Sequence, residues 1–135
     1  MNTCYLSLGS NQKSPERQLR MGMRSIKKLP SSHLVQASSL HWTKAWGFHQ
    51  QDFCNAVVKI KTRLPPHQLL RACQEIEKRQ GRVRKRRWGP RTLDIDIILY
   101  NNLIIKTADL TIPHPYFRER EFVMKPLAEI HAKLK

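Results

Sequence analysis

Two aspartates and a cluster of cations are neighbours in one stretch of this 135-residue chain, GRVRKRRWGPRTLDIDI at positions 81–97. Asp94 and Asp96 are two positions apart in a strand-like run, so alternation directs both carboxylates to one face. Like charges at that spacing repel, and a strand gains nothing from them unless a cation lies beside them. Magnesium commonly combines one or two carboxylates with substrate phosphates. The pair therefore indicates a magnesium site. The alternative is a solvated face on which the carboxylates form ion pairs with nearby arginines.

Six cations precede this run: Arg82, Arg84, Lys85, Arg86, Arg87 and Arg91. They surround Trp88, Gly89 and Pro90, a composition typical of a loop. Arginine forks bind phosphate oxygens in pairs, so we expect a loop that closes over phosphates. Trp88 either stacks on a base or anchors the loop. Arginines beside carboxylates predict a nucleotide triphosphate with magnesium as the ligand, whereas a basic stretch with an aromatic would by itself suit nucleic acid.

Composition predicts one globular domain over residues 1–135. The formal net charge is +15, which favours polyanionic partners without choosing among them. Three cysteines without a CxxC spacing predict reduced core thiols. No signal segment and no apolar run of membrane-spanning length is present, so we expect a cytoplasmic protein with no membrane partner.

Periodicity predicts the elements that must position these residues. A strand at 3–8 ends at Gly9, which we assign to a turn, and a helix at 15–29 has Ser14 as its N-cap. Later elements are a strand within 33–42, a strand at 53–62, a helix at 65–80 stopped by Gly81, strands at 93–100 and 103–106, and short helical pieces after Pro113. Alternation in the 93–100 strand places Tyr100 on the face of Asp94 and Asp96. The order βαββαβ predicts an α+β, ferredoxin-like fold with helices packed on an antiparallel sheet.

Several segments in this order resemble one enzyme family. They are GSN at 9–11, DFCNAVV at 52–58, QLL at 68–70, GRVRKRRWGPRTLDIDIILY at 81–100 and the IPHPYFRER and FV residues within 112–123. The chain is similar along nearly its whole length to the 6-hydroxymethyl-7,8-dihydropterin pyrophosphokinase family. The resemblance implies a step of folate biosynthesis in which ATP donates its β,γ-pyrophosphoryl group to the hydroxymethyl of a reduced pterin and AMP is released.

The resemblance also implies residue roles. Asp94 and Asp96 would hold two magnesium ions, Asp94 would also contact the substrate, Arg91 would contact phosphate, and Arg82 would assist closure and turnover. Positions implied around the nucleotide are Gln74, Glu77, Arg84, Trp88, Arg91, Ile97, His114, Tyr116 and Arg120. Thr43 and Asn55 would hydrogen-bond the pterin between Phe53 and Phe122. We expect a monomer that binds ATP and a reduced pterin and no specific nucleic acid.

Each of these roles has a structural alternative. Phe53 and Phe122 are more often core residues than stacking platforms, and the Asn55 amide could bond backbone instead of ligand. His114 could be structural, and Glu77 could be an exposed helix residue paired with a lysine. Two functions from other classes also remain: a nucleic-acid-binding domain, which does not explain the aspartates, and a two-metal nucleotidyl transferase, which would release pyrophosphate.

The chain also departs from the family pattern. Lys44, Ala45 and Trp46 stand where prolines and a smaller apolar residue are frequent, and the basic loop is one residue shorter than in some relatives. Asp109 stands where a cation can occur. These departures concern substrate affinity more than reaction type.

Overall fold

The structure is a computed structural model that describes residues 1–12, 14–44, 52–81 and 92–131. Its elements are β1 (Asn2–Ser10), α1 (Pro15–Lys27), β2 (Ser32–Ala37), β3 (His41–Thr43), β4 (Phe53–Thr62), α2 (Pro66–Arg79), β5 (Asp94–Tyr100), β6 (Ile105–Lys106), β7 (Thr111–Ile112), a 3-10 turn (Phe117–Glu119) and α3 (Glu121–Ile130). In the part of the chain that is described, no helix is long and apolar enough to span a membrane.

The main sheet is antiparallel and runs in the order β2-β4-β1-β5, with β3 paired to β4. The two central strands are the first strand of each βαβ half, and each half contributes one outer strand. This is the predicted ferredoxin-like arrangement. β6 and β7 form a separate two-stranded sheet.

The sheet buries both faces, and different helices cover them. One face packs Leu6, Leu8 and Val58 against α1 and α2, around residues such as Leu19 and Leu69. The other face packs Tyr5, Val57 and Ile98 against the 3-10 turn and α3. Alternation along β1 and β4 sorts the side chains between these clusters. Since Ile95 belongs to the first cluster, Asp94 and Asp96 lie on the α3 face.

Two expectations about the fold are corrected, and the predicted N-cap of α1 is confirmed in position. The strand expected within 33–42 is two strands, because Ser38 breaks it: its N–H donates to the Val57 carbonyl at 2.8 Å, and its Oγ accepts from the Val57 N–H at 2.9 Å. Ser14 stands at the N-cap of α1 but makes no capping side-chain hydrogen bond. Gly9 lies within β1 and not in a turn.

A register shift in β5 corrects the predicted side-chain alternation. Leu6 pairs with Ile97 and Tyr5 pairs with Leu99, so Ile98 is the extra residue of a bulge. Beyond it, Tyr100 turns to the face of α1 and α2, where its hydroxyl donates to the Leu64 carbonyl at 2.6 Å. Tyr100 therefore does not share the face of Asp94 and Asp96.

Candidate active site

Gly9 joins the two halves of the candidate site. It is the partner of Asn55 in β4 and of Asp94 in β5, so the three residues form one row across three strands. Directly opposed residues in antiparallel strands share a face. The row thus brings a carboxylate and a carboxamide to the same side of the sheet with no side chain between them.

The absence of a Cβ at position 9 has a structural reason. A methyl group there would lie 3.1 Å from Asn55 Oδ1, which is closer than most real contacts of a Cβ. Gly9 therefore lets the Asn55 amide lie against β1. Sequence reasoning missed this role, although a glycine inside a strand is a recognised sign of a close approach.

The amide end of the site is built by β3 and β4. Asn55 is buried, and its Nδ2 donates to Thr43 Oγ1 at 3.0 Å. Thr43 pairs with Phe53, which is partly exposed at the start of β4. Phe122 is 38% exposed near the start of α3, and the Arg120 guanidinium carbon is 5.8 Å from its ring centroid. The structure brings Thr43, Phe53 and Asn55 together at one end of the sheet.

The carboxylate end of the site lies on β5. Asp96 is opposite Ser7, so the small residues glycine and serine are the β1 partners of both aspartates. The Asp96 side chain is 53% exposed, and its Oδ2 is 4.0 Å from His114 Nε2. The His114 N–H donates to the Ile98 carbonyl at 3.0 Å, which fixes the histidine beside β5. Asp94 is partly exposed and Asp96 is exposed, and their small β1 neighbours leave space for a cation.

This donor set fits magnesium and does not fit a cage made only by protein. Carboxylate oxygens are the hard ligands that magnesium prefers, and magnesium usually completes its shell with phosphates and water. Among the described residues, no group of three or more His, Cys, Asp or Glu is placed to hold a metal ion. The two aspartates therefore suit an ion that arrives with a phosphate ligand.

The predicted nucleotide positions divide into core and surface. Glu77 is buried, and its Oε2 accepts from the Ile95 N–H at 2.8 Å, so Glu77 is not the exposed helix residue of the structural alternative. Ile97 has a buried side chain in the cluster under α1 and α2. Gln74 lies one turn before Glu77 and is partly exposed, whereas Tyr116 is 70% exposed. Arg120 lies at the N-cap of α3.

Four predicted site residues, Arg82, Arg84, Trp88 and Arg91, lie outside the described residues, as does the predicted closing loop. The departures at Ala45 and Trp46 lie outside them too. Asp109 is described: its Oδ1 accepts from Thr107 Oγ1 at 2.9 Å and lies 3.3 Å from His67 Nε2. The hydrogen bond from Thr107 is the main cause that lowers the pKa of Asp109.

The cysteines take no part in this site. Cys4, Cys54 and Cys73 are buried free thiols, as predicted. Burial raises the pKa of Cys4 to about 12, of Cys54 to about 11 and of Cys73 to about 12, so none is a thiolate nucleophile at neutral pH.

Comparison with known proteins places the chain in a family. The family model described as 7,8-dihydro-6-hydroxymethylpterin-pyrophosphokinase matches residues 5–132. The 2-amino-4-hydroxy-6-hydroxymethyldihydropteridine pyrophosphokinase of Haemophilus influenzae is 50% identical over 135 residues, which cover 99% of this chain and 84% of that protein. The Bacillus subtilis protein of the same name is 43% identical over 130 residues, covering 96% of this chain and 78% of that one.

Solved structures agree with the fold. A crystal structure of Plasmodium falciparum HPPK-DHPS with pteroate superposes with a TM-score of 0.73 at 14% identity, over 94% of this chain and 38% of that one. A crystal structure of HPPK-DHPS in complex with substrates gives a TM-score of 0.71 at 14% identity, over 96% of this chain and 40% of that one. The chain thus spans about two fifths of these longer proteins. With the family model and relatives of this identity matched along nearly its whole length, the chain belongs to the 7,8-dihydro-6-hydroxymethylpterin-pyrophosphokinase family.

Proposed function

We propose that this chain transfers the β,γ-pyrophosphoryl group of ATP to the hydroxymethyl group of 6-hydroxymethyl-7,8-dihydropterin and releases AMP, a step in folate biosynthesis. The observation that supports this reaction best is the row Asp94, Gly9, Asn55. This row sets the Asp94 carboxylate, which suits magnesium and phosphate, beside the Asn55 carboxamide, which suits the polar edge of a flat heterocycle. A phosphoryl donor and a hydroxyl acceptor must meet at such a boundary.

On the pterin side, Asn55 and Thr43 supply the polar contacts. Because one Nδ2 hydrogen of Asn55 already binds Thr43, the amide orientation is set before a ligand arrives. A carboxamide presents a donor and an acceptor together, which matches a ring edge with alternating N–H and C=O groups. We assign Phe53 and Phe122 to the two faces of the ring, since flat apolar surfaces on both sides exclude water from it.

On the nucleotide side, the outer edge of β5 is the natural place for the purine. Glu77 takes the Ile95 N–H at this edge, and alternation directs the backbone groups of Ile97 to the same edge. Because the Ile97 side chain is buried, we assign its contact to the main chain. Gln74 and Glu77 would lie beside the base, with His114, Tyr116 and Arg120 toward the phosphates.

Asp94 and Asp96 would hold magnesium, and we propose two ions with ATP as co-substrate. Magnesium bound there would neutralise part of the triphosphate charge. The chain's own groups would do the remaining work. Asn55 and Thr43 would hold the pterin so that its hydroxyl oxygen points at the β-phosphorus, and Arg82 and Arg91 would neutralise the triphosphate charge that magnesium leaves. Phosphoryl transfer depends mainly on such positioning and electrostatics. We further propose a monomer in the cytoplasm, with no specific nucleic-acid partner.

The test is to identify the nucleotide product. The protein is incubated with ATP, magnesium chloride and 6-hydroxymethyl-7,8-dihydropterin, and the products are separated by ion-exchange chromatography. We expect AMP and a pyrophosphorylated pterin in equal amounts, and neither product when the pterin is omitted. Release of pyrophosphate with AMP attached to the acceptor would identify a nucleotidyl transferase, and release of ADP would identify a simple kinase. Either result would overturn the proposal.

A further inference from the structure

A second polar cluster links β3 to the end of α3. Glu129 uses both of its carboxylate oxygens: Oε2 accepts from the Ser39 N–H at 2.9 Å, and Oε1 accepts from Ser39 Oγ at 2.6 Å. Oε1 also contacts His41 Nε2. The partners are about ninety positions apart in the chain, so the cluster is a tertiary contact and not a local turn. We call Ser39, His41 and Glu129 the β3–α3 clamp.

The position of Glu129 is not explained by its own helix. It is the penultimate residue of α3, where the helix dipole disfavours a negative charge. The two hydrogen bonds from Ser39, followed by His41, lower the pKa of Glu129 to about 2. The carboxylate is therefore ionised at neutral pH, and the partners on β3 and on the segment before it are what favour that charge.

The cluster is not a nucleophile relay. In a Ser–His–acid relay, the hydroxyl and the acid bind opposite nitrogens of the imidazole. Here Ser39 Oγ, at 3.4 Å, and Glu129 both approach Nε2 of His41. The Ser39 hydroxyl donates to the carboxylate, which makes it a tether instead of an activated nucleophile.

The clamp lies next to the pterin side of the site. His41 is the β4 partner of Asn55, so it extends the Asp94, Gly9, Asn55 row by one strand. Thr43, two residues further along β3, receives the hydrogen bond of the Asn55 amide. β3 has three residues, and so short a strand has few ladder hydrogen bonds to hold it in place. Any shift of β3 would move the Thr43 hydroxyl away from the amide.

Glu129 shares its helix with Phe122, which is assigned to one face of the pterin ring. Phe122 and Glu129 are seven residues apart in α3, so they lie on the same side of the helix, roughly 10 Å apart along its axis. Fixing Glu129 against β3 therefore fixes the side of α3 that carries Phe122. Thr43 lies two residues from His41 along β3, and Phe122 lies seven residues from Glu129 along α3.

We propose that Ser39, His41 and Glu129 are positioning residues that set the distance between Phe53 and Phe122, the two rings assigned to the faces of the pterin. They act on pterin binding and not on nucleotide binding. The inference rests on the proposed function for its ligand. None of the three residues needs to touch the pterin, because they act through Thr43, Asn55 and Phe122.

The experiment compares Glu129→Ala, Ser39→Ala and Ser39→Thr with the wild-type chain. Ser39→Thr keeps the hydroxyl and is the rescue variant, while Glu75→Ala is the control, because Glu75 makes an exposed i,i+4 pair with Arg79 on α2. The Michaelis constants for the pterin alcohol and for magnesium-ATP are measured separately. Glu129→Ala should raise the pterin constant roughly five- to tenfold and leave the ATP constant within about twofold. Ser39→Ala should raise the pterin constant roughly threefold, and Ser39→Thr should restore it.

An unchanged pterin constant in Glu129→Ala, or an equal rise in both constants, would overturn the proposal. If Glu129→Ala does not fold, the comparison of Ser39→Ala with Ser39→Thr decides by the same criterion. Backbone hydrogen exchange separates failure of the clamp from failure of the proposed function. Should the wild-type chain form no AMP, faster exchange at residues 41–43 in Glu129→Ala, with β1 unchanged, still supports the clamp, and unchanged exchange at 41–43 rejects it.

Discussion

At the scale of single residues, Gly9 determines how closely the Asn55 amide lies to β1. The change Gly9→Ala would place a methyl group 3.1 Å from Asn55 Oδ1, so the amide must move. We expect pterin affinity to fall by about 1–2 kcal/mol through weakened hydrogen bonds, with the fold retained. Isothermal calorimetry with the pterin and with a magnesium-nucleotide measures the two affinities separately.

Gly22 in α1 offers a matched control for this prediction. A methyl group there would meet Leu93 Cδ2 at 2.9 Å on the opposite face of the sheet. Gly22→Ala should therefore change thermal stability without a selective effect on pterin binding. Equal pterin affinity in Gly9→Ala and the wild-type chain would contradict the role given to Gly9.

For Glu77, whose carboxylate is buried against β5, the predicted effect of substitution is on the stability of the fold. Glu77→Ala would leave the Ile95 N–H without this partner, and a buried unpaired donor costs about 1–3 kcal/mol of unfolding free energy. Urea unfolding measures the loss. Glu75→Ala, at an exposed position of the same helix, should change the unfolding free energy by less than about 0.5 kcal/mol. A loss of ATP affinity without a loss of stability would assign Glu77 to the nucleotide alone.

At the scale of elements, the pH dependence of the β3–α3 clamp follows from the direction of its pKa shift. The folded-state pKa of Glu129, about 2, lies below its ordinary value of 4.5. A depressed carboxyl pKa contributes stability that is fully present above the ordinary value and is lost as pH falls toward the folded value. The Tm difference between the wild-type chain and Glu129→Gln should thus be constant above about pH 5 and shrink between about pH 4.5 and 2. A difference that stays constant down to pH 2 would contradict the assignment.

Elements with strong local patterns were predictable from the sequence. β4 has the predicted bounds, Phe53–Thr62, because its alternation is regular and both of its edges are paired within the sheet. α2 ends before Gly81, as expected, since that residue has a positive φ of 85°. The shared face of Asp94 and Asp96 was also predicted, because two positions in a regular strand always share a face.

Features that depend on tertiary pairing were not predictable. The break at Ser38 needs the backbone of Val57, and the bulge at Ile98 needs the register against Tyr5 and Leu6. Both features depend on residues that are distant in the sequence, so local propensity cannot predict them. The hydrogen bond from the Ile95 N–H to Glu77 joins residues eighteen positions apart, so the pattern of the helix alone does not predict it. The β3–α3 clamp gave no signal for the same reason.

At the scale of the whole molecule, the net charge of +15 predicts how the chain meets nucleic acid. A basic surface without a base-reading element binds through phosphates, and that binding releases counterions. We expect any affinity for DNA or RNA to be independent of sequence and to fall by about tenfold or more between 50 and 200 mM salt. Filter binding with two unrelated sequences at both salt concentrations measures this. Sequence-selective binding that persists at the higher salt would favour the nucleic-acid-binding alternative.

We propose that the phosphoryl donor and the hydroxyl acceptor meet at the face of the sheet that carries Asp94 and Asp96. The most direct measurement is pyrophosphoryl transfer across a magnesium titration in Asp94→Asn and Asp96→Asn, with the Tm of each variant recorded without ligands. We predict that each variant loses at least about a hundredfold in transfer and binds ATP with little dependence on magnesium, while its Tm stays equal to that of the wild-type chain or rises slightly, because one of two repelling charges is gone. Near-normal transfer in either variant, or a large loss of Tm as its main effect, would show that the aspartates are structural and would contradict the account.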